Sequence, residues 1–303
     1  MQPISDASSG AHSAEGRGRT TAGSPHEPRL RSRTFASMGT VVSLAIPATL
    51  PESHVVEDAL EAATAVVERL FAELDRTFSL YRPDSEASAM ARGELALRDA
   101  SDDMRRLYVE ASEWRTLTEG AFTAERPDGV VDLAGIVKAH AIREAGTSLR
   151  ALGLTDWCLN AGGDVLVEGS PIPGTERAWL AGIVDPADRT ALLTAYPLAG
   201  SVLAGSVPAK SAKHALATSG TSERGEHIWT AGLRPGRGGG FSQVSVAAAD
   251  IITADVLATA IMAGGPQTLD LASARWEVDI LAVGNDGGLL ATPGFRSLVS
   301  KAG

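Results

Sequence analysis

Residues 52–78 place the strongest constraint on how this chain can fold. Val55, Val56, Ala59, Leu60, Ala63, Val66, Val67, Leu70, Phe71 and Leu74 recur at spacings of three and four. Such spacing gathers them into one stripe of a long α-helix, and a stripe of that length has to be buried against something. Just before it, residues 35–46 (FASMGTVVSLAI) are rich in β-branched side chains and read as an opening strand, with Pro47 and Pro51 at its end.

The helical period returns twice. Ser101 is a good N-cap, Asp102 and Asp103 suit a first turn, and Met104, Leu107, Tyr108, Ala111 and Trp114 form a stripe that stops before Gly120. A third helix is expected over 135–151. The second half changes character. Short apolar runs at 157–168, 178–184 and 190–196 are separated by Gly, Pro and Asp, as strands and turns are. Residues 200–216, with Lys210, Lys213 and His214, read as an exposed insertion. Strands are expected at 241–248 and 277–283, with a helix over 252–264 between them. Helices and strands mix without a regular βαβ period. The expected class is therefore α+β, with mixed or antiparallel sheets packed against a few helices in one compact unit.

Charge divides the chain. Residues 1–34 hold five arginines against Asp6, Glu15 and Glu27, a balance of +2, so the total of −10 leaves −12 on the rest. This first segment is rich in Ser, Gly, Ala and Thr and too poor in apolar side chains to offset its ordering entropy. Residues 1–33 are read as a disordered tail and 34–303 as the folded domain; RLRSR (29–33) is either a solvated linker or a weak contact for an anion. The acidic balance argues against nucleic acid or anionic lipid as a partner. The single cysteine, Cys158, excludes an internal disulfide and any multi-cysteine metal site, and within WCLNAGG it reads as a small core residue. The most apolar stretch, 244–265, is broken by Asp250 and Asp255, which argues against membrane insertion. With no secretory signal or lipid-anchor cysteine read, the expected location is cytoplasmic.

Familiar nucleotide and catalytic fingerprints are missing. GRGGGF (236–241) fits neither G-x-G-x-x-G nor G-x-x-x-x-G-K-[ST], there is no G-x-S-x-G, and the six histidines form no H-E-x-x-H. Four clusters carry more information. In FSLYRPDSEASAM (78–90), Tyr81 could stack on a planar ligand beside Arg82 and Ser85, though a helix exit and capped turn would account for it equally. In 119–145, Asp132, the Ala134-Gly135 turn and Lys138 in the first helical turn form a cradle for a polar or anionic group; an N-capping Asp with a solvated Lys is the ordinary alternative. In LNAGGDVLVEG (159–169), a hairpin accounts for the glycines but not for both Asn160 and Asp164. In the last cluster, Thr218, Ser219, Thr221 and Ser222 concentrate hydroxyls ahead of His227. Asp255 and Thr259 there stand one turn apart on one helix face among apolar residues. Two hard oxygens at that spacing suit Mg²⁺, and a Thr bonded back to its own helix is the plainer alternative.

Taken in order, MGT (38–40), FSLYRPDSE (78–86), GAF (120–122), VDLAGIVKA (131–139), NAGGD (160–164), ATSGT (217–221), ERGEHIW (223–229) and TADVLATA (253–260) resemble the ApbE family of FAD:protein FMN transferases. The resemblance spans about Thr34 to Phe295. It implies an enzyme that binds FAD with a divalent metal on its pyrophosphate, moves FMN onto a Ser or Thr of an acceptor protein, and releases AMP. It implies that Met38, Tyr81, Ala121 and Phe122 line the flavin or adenosine pocket and that Asp132, Lys138 and Thr218 contact the nucleotide. Mg²⁺ would be held by the Gly135 carbonyl, Asp255 and Thr259, with His227 as general base and Asp255 contributing to catalysis through the metal.

Three departures stand out. Relatives commonly continue the histidine motif as His-x-x-Asp-Pro, whereas Thr230-Ala231-Gly232 follows Trp229 here. Thr123 replaces the Asp usual after Gly-Ala-Phe, and Ala139 replaces a usual Gly. The metal and lysine positions are kept. Binding of FAD and Mg²⁺ is therefore expected, with transfer as the leading activity. A flavin-binding module without transfer, or a Mg²⁺-dependent pyrophosphatase giving FMN and AMP, are the alternatives.

Overall fold

A computed structural model describes residues 29–48, 54–199, 212–220 and 240–299. The expected tail up to residue 28, residues 200–211 of the expected insertion, and Thr221, Ser222 and His227 lie outside them.

The segment read as one opening strand is a hairpin. Strand β1 (Leu30–Ser37) pairs antiparallel with β2 (Thr40–Pro47), Ser37 opposite Thr40. Met38 (φ 49°) and Gly39 (φ 71°) form the connecting turn, both left-handed as the twist of a two-residue hairpin requires. Residues 30–33, assigned by sequence to the tail, are thus strand. Their arginines do not await an anion: Arg31 pairs with Glu57 at 3.3 Å and Arg33 with Glu61 at 3.0 Å.

Those glutamates belong to α1 (His54–Phe78), whose buried stripe is Leu60, Ala63, Thr64, Val67, Phe71 and Phe78. Val55, counted in the stripe by spacing, is exposed. A short helix follows, α2 (Glu86–Ala91), with Ser85 capping Ser88 N–H at 3.0 Å. Next is α3 (Asp102–Leu117), capped by Ser101 as expected. Helix α4 spans Ala134–Ala151, which places Lys138 in its second turn rather than its first.

The strands β3 (Trp157–Ala161), β4 (Asp164–Glu168), β5 (Trp179–Val184), β6 (Leu192–Leu198), β7 (Ala215–Gly220), β8 (Phe241–Ala248), β9 (Asp279–Gly284) and β10 (Leu289–Ala291) complete the sheets. Eight strands form one sheet, antiparallel throughout, in the order β1-β2-β3-β4-β7-β8-β9-β10, and β5 and β6 form a separate ribbon. Ala212, Ala215 and Leu216 are buried, so the end of the presumed insertion runs into the interior as β7.

Helix α5 (Ile251–Gly264) lies against β7 and β8, with α4 packed on it and α1 packed on α4. Covered on both sides, α5 is apolar nearly all round. Helices α6 (Pro266–Arg275) and α7 (Pro293–Val299), neither legible beforehand, close the chain. Helices α1, α4 and α5 share the main core with one face of the sheet. Val165, Val167, Leu216 and Leu281 on the other face join Trp179, Ile183, Tyr196, Leu198 and Phe295 in a second core beneath the ribbon and α7. The expected α+β class with antiparallel sheets holds. Among the described residues, no helix is long and apolar enough to cross a membrane.

Candidate functional site

Two glycine turns meet at one end of the large sheet. Gly162 (φ 62°) and Gly163 (φ 94°) join β3 to β4, and Gly162 N–H donates to the Val41 carbonyl at 3.1 Å, beside the Met38–Gly39 turn. A Cβ on Gly162 would run into the Thr40 hydroxyl, so the two turns interlock only without a side chain there. Asn160 Oδ1 accepts from Gly163 N–H at 2.9 Å and holds the turn. Asn160 and Asp164 therefore have separate tasks.

Asp164 opens β4 and is wholly buried. Its Oδ2 lies 2.5 Å from Lys138 Nζ, and that side chain is itself only 10% exposed. Its Oδ1 accepts from Thr218 N–H at 3.1 Å, and the Thr218 hydroxyl meets that of Ser245 at 2.8 Å. One carboxylate therefore ties α4 to β4 and β7. Burying a charge pair costs several kcal/mol per ion, offset only by close geometry and full hydrogen bonding.

The start of α4 is shaped by the loop before it. Asp132 Oδ1 accepts from Ala134 N–H at 2.9 Å, and Asp132 N–H donates to the Ala124 carbonyl at 2.7 Å. Phe122, 3% exposed, packs its ring edge on Gly135, where an added Cβ would stand 3.1 Å away. Ala121 reaches Gly264 at the end of α5 in the same manner. The Gly-Ala-Phe segment thus braces the start of one helix and the end of another, with the Phe122 ring in the core.

On α5, Asp255 is 1% exposed, and Thr259 one turn further shares a 3.1 Å hydrogen bond with Ser219 of β7. A carboxylate, a hydroxyl and the Gly135 carbonyl are hard oxygen donors of the kind Mg²⁺ prefers, and these residues fit it chemically. Among the described residues, no group of three or more His, Cys, Asp or Glu is placed to hold a metal. The expected ligand set contains a single carboxylate and calls for no such group.

Other expectations fall elsewhere. Tyr81 is 80% exposed on the turn between α1 and α2. Burial pushes the Cys158 thiol up to about 12, so it is not a nucleophile near neutral pH. His227 lies outside the described residues. A cavity of about 550 Å³ opens at the opposite end of the β3–β4 hairpin, beside Arg150, Glu168, Ser170 and Arg177, away from Lys138 and Asp164. Sequence reasoning missed Asp164 as the partner of Lys138. The unexplained acid in NAGGD was its signal, whereas Ser245, in an ordinary strand, left none.

The ApbE family model matches residues 38–125 and 123–282. Among solved structures, the flavin transferase ApbE from Vibrio cholerae is 19% identical with a TM-score of 0.64, covering 89% of this chain and 99% of that one. The ApbE protein from Thermotoga maritima is 18% identical with a TM-score of 0.67, covering 89% and 99%. The flavinyl transferase ApbE of Pseudomonas stutzeri is 18% identical with a TM-score of 0.67, covering 90% and 98%. No curated protein matches significantly.

Proposed function

Because the chain belongs to the ApbE family, we propose that it is an FAD:protein FMN transferase that uses Mg²⁺. In the proposed reaction, the hydroxyl oxygen of an acceptor Ser or Thr bonds to the phosphorus of the FMN half. The phosphoanhydride bond to the adenylate half breaks, and AMP leaves with the bonding electrons. The hydroxyl proton passes to a base, the role the resemblance gives to His227.

Asp132, Lys138 and Thr218 are assigned to the nucleotide, and Met38, Tyr81, Ala121 and Phe122 to the walls of its pocket, Phe122 acting through the packing of Gly135. Gly135, Asp255 and Thr259 would hold Mg²⁺, which when bound neutralises charge on the pyrophosphate. Asp255 supplies the charge, and Thr259 is held in place by Ser219. Lys138 would meet the nucleotide from beside Asp164, its ion-pair partner at 2.5 Å.

The observation that carries this reading is the buried Asp255 one helical turn from Thr259, beside the strand that also bears Thr218 and Ser219. A buried carboxylate one turn from a hydroxyl presents two hard oxygens of the kind a divalent cation takes. Incubation with FAD, Mg²⁺ and a Ser/Thr-bearing acceptor protein, followed by a denaturing gel viewed for flavin fluorescence, tests it. Covalent label on the acceptor is expected. AMP release without label would replace the proposal with a pyrophosphatase, and FAD binding with neither product would leave a flavin-binding module.

A further inference from the structure

We propose that Asp164 positions the Lys138 ammonium for the nucleotide, a role that rests on the flavin-transfer reading above. A lysine has four rotatable bonds, and holding its end at one point costs about 2 kcal/mol of rotamer freedom. Asp164 is well suited to hold it. It follows directly on the Gly162–Gly163 turn, which Asn160 holds, and its own side chain is pinned from the other side.

That pin comes from the strand register. Toward the Gly162–Gly163 turn, the register between β4 and β7 stops at Val165–Leu216. Beyond it, the Asp164 carboxylate stands in for a strand partner and takes the Thr218 N–H on Oδ1. Oδ2 is left for Lys138 at 2.5 Å. An ammonium has three donors, and an ion pair with the single Asp164 Oδ2 does not use them all, which leaves donors for a ligand. Because its charge is already matched, Lys138 acts on the nucleotide as an aimed donor more than as a free cation.

The test is a double-mutant cycle on FAD affinity, read by quenching of flavin fluorescence. Asp164→Asn keeps an oxygen for Thr218 N–H and removes only the charged partner of Lys138. It should weaken FAD binding roughly ten- to hundredfold, the worth of one charge-assisted hydrogen bond, and Lys138→Met should do the same. The double variant should bind no more weakly than Lys138→Met alone. A carboxylate serving only the fold would have an effect on FAD that multiplies with that of Lys138→Met. Unchanged affinity in Asp164→Asn, or losses that multiply, would overturn the proposal. Should Asp164→Asn fail to fold, Asp164→Ser, which leaves room for water, takes its place in the cycle. If the wild-type chain binds no FAD, the flavin reading falls and takes this role with it; if it binds and the losses multiply, only the positioning role falls.

Discussion

Lys138 Nζ stands 2.5 Å from Asp164 Oδ2, with the lysine side chain 10% exposed and the aspartate fully enclosed. Removing one member strands the other in a low-dielectric interior. Lys138→Met should therefore cost about 3–5 kcal/mol of stability, whereas Lys138→Met/Asp164→Asn, which strands no charge, should cost markedly less. Urea denaturation of the two variants decides this, and a double variant less stable than Lys138→Met would show that the pair is not coupled.

Asp255 is a different case, a buried carboxylate assigned to the metal rather than to a lysine. Asp255→Ala should still fold, since alanine is the strongest helix former and fits within the space of the larger side chain. Its Mg²⁺-dependent turnover of FAD should vanish. Thermal melting and an AMP-release assay read the two outcomes separately, and retained turnover would remove Asp255 from the metal site.

The interlocked turns give a steric prediction. Gly162→Ala meets both a left-handed backbone at φ 62° and the Thr40 hydroxyl. The backbone part alone costs about 1–2 kcal/mol. Adding Thr40→Ala should recover the steric part and leave that backbone cost, as measured by chemical denaturation. No recovery would mean that the turns do not touch.

Alkaline pH should destabilise the fold in two stages. Burial holds both the Cys158 thiol and the Tyr196 phenol above their ordinary values, with the hydrogen bond to Asp279 adding to the effect at Tyr196. For each group the unfolded chain loses its proton first. Stability is therefore complete below the unfolded value, about 8.5 for Cys and 10 for Tyr, and falls as pH rises beyond it. Cys158→Ala should flatten the decline that begins near 8.5, and Tyr196→Phe the part above 10. Stability measured across pH 7–11 in each variant checks both.

What the sequence determined by itself is local or linear. The stripe from Leu60 to Leu74, the Ser101 cap and the spacing of Asp255 and Thr259 each depend on residues within a turn or two of one another, and periodicity reports such relationships directly. The order of the motifs is likewise readable along the chain, and it carried the family. Tertiary structure decided the rest. Residues 35–46 contain a run of strand formers that no local rule divides, and only the left-handed Met38–Gly39 pair, locked beside Gly162, made them part of a hairpin. Ser219 found Thr259, and Lys138 found Asp164, across elements far apart in sequence. Such pairings follow from which strands share an edge and which helix covers them. The burial that makes a charge pair consequential belongs to the assembled layers and to no single segment.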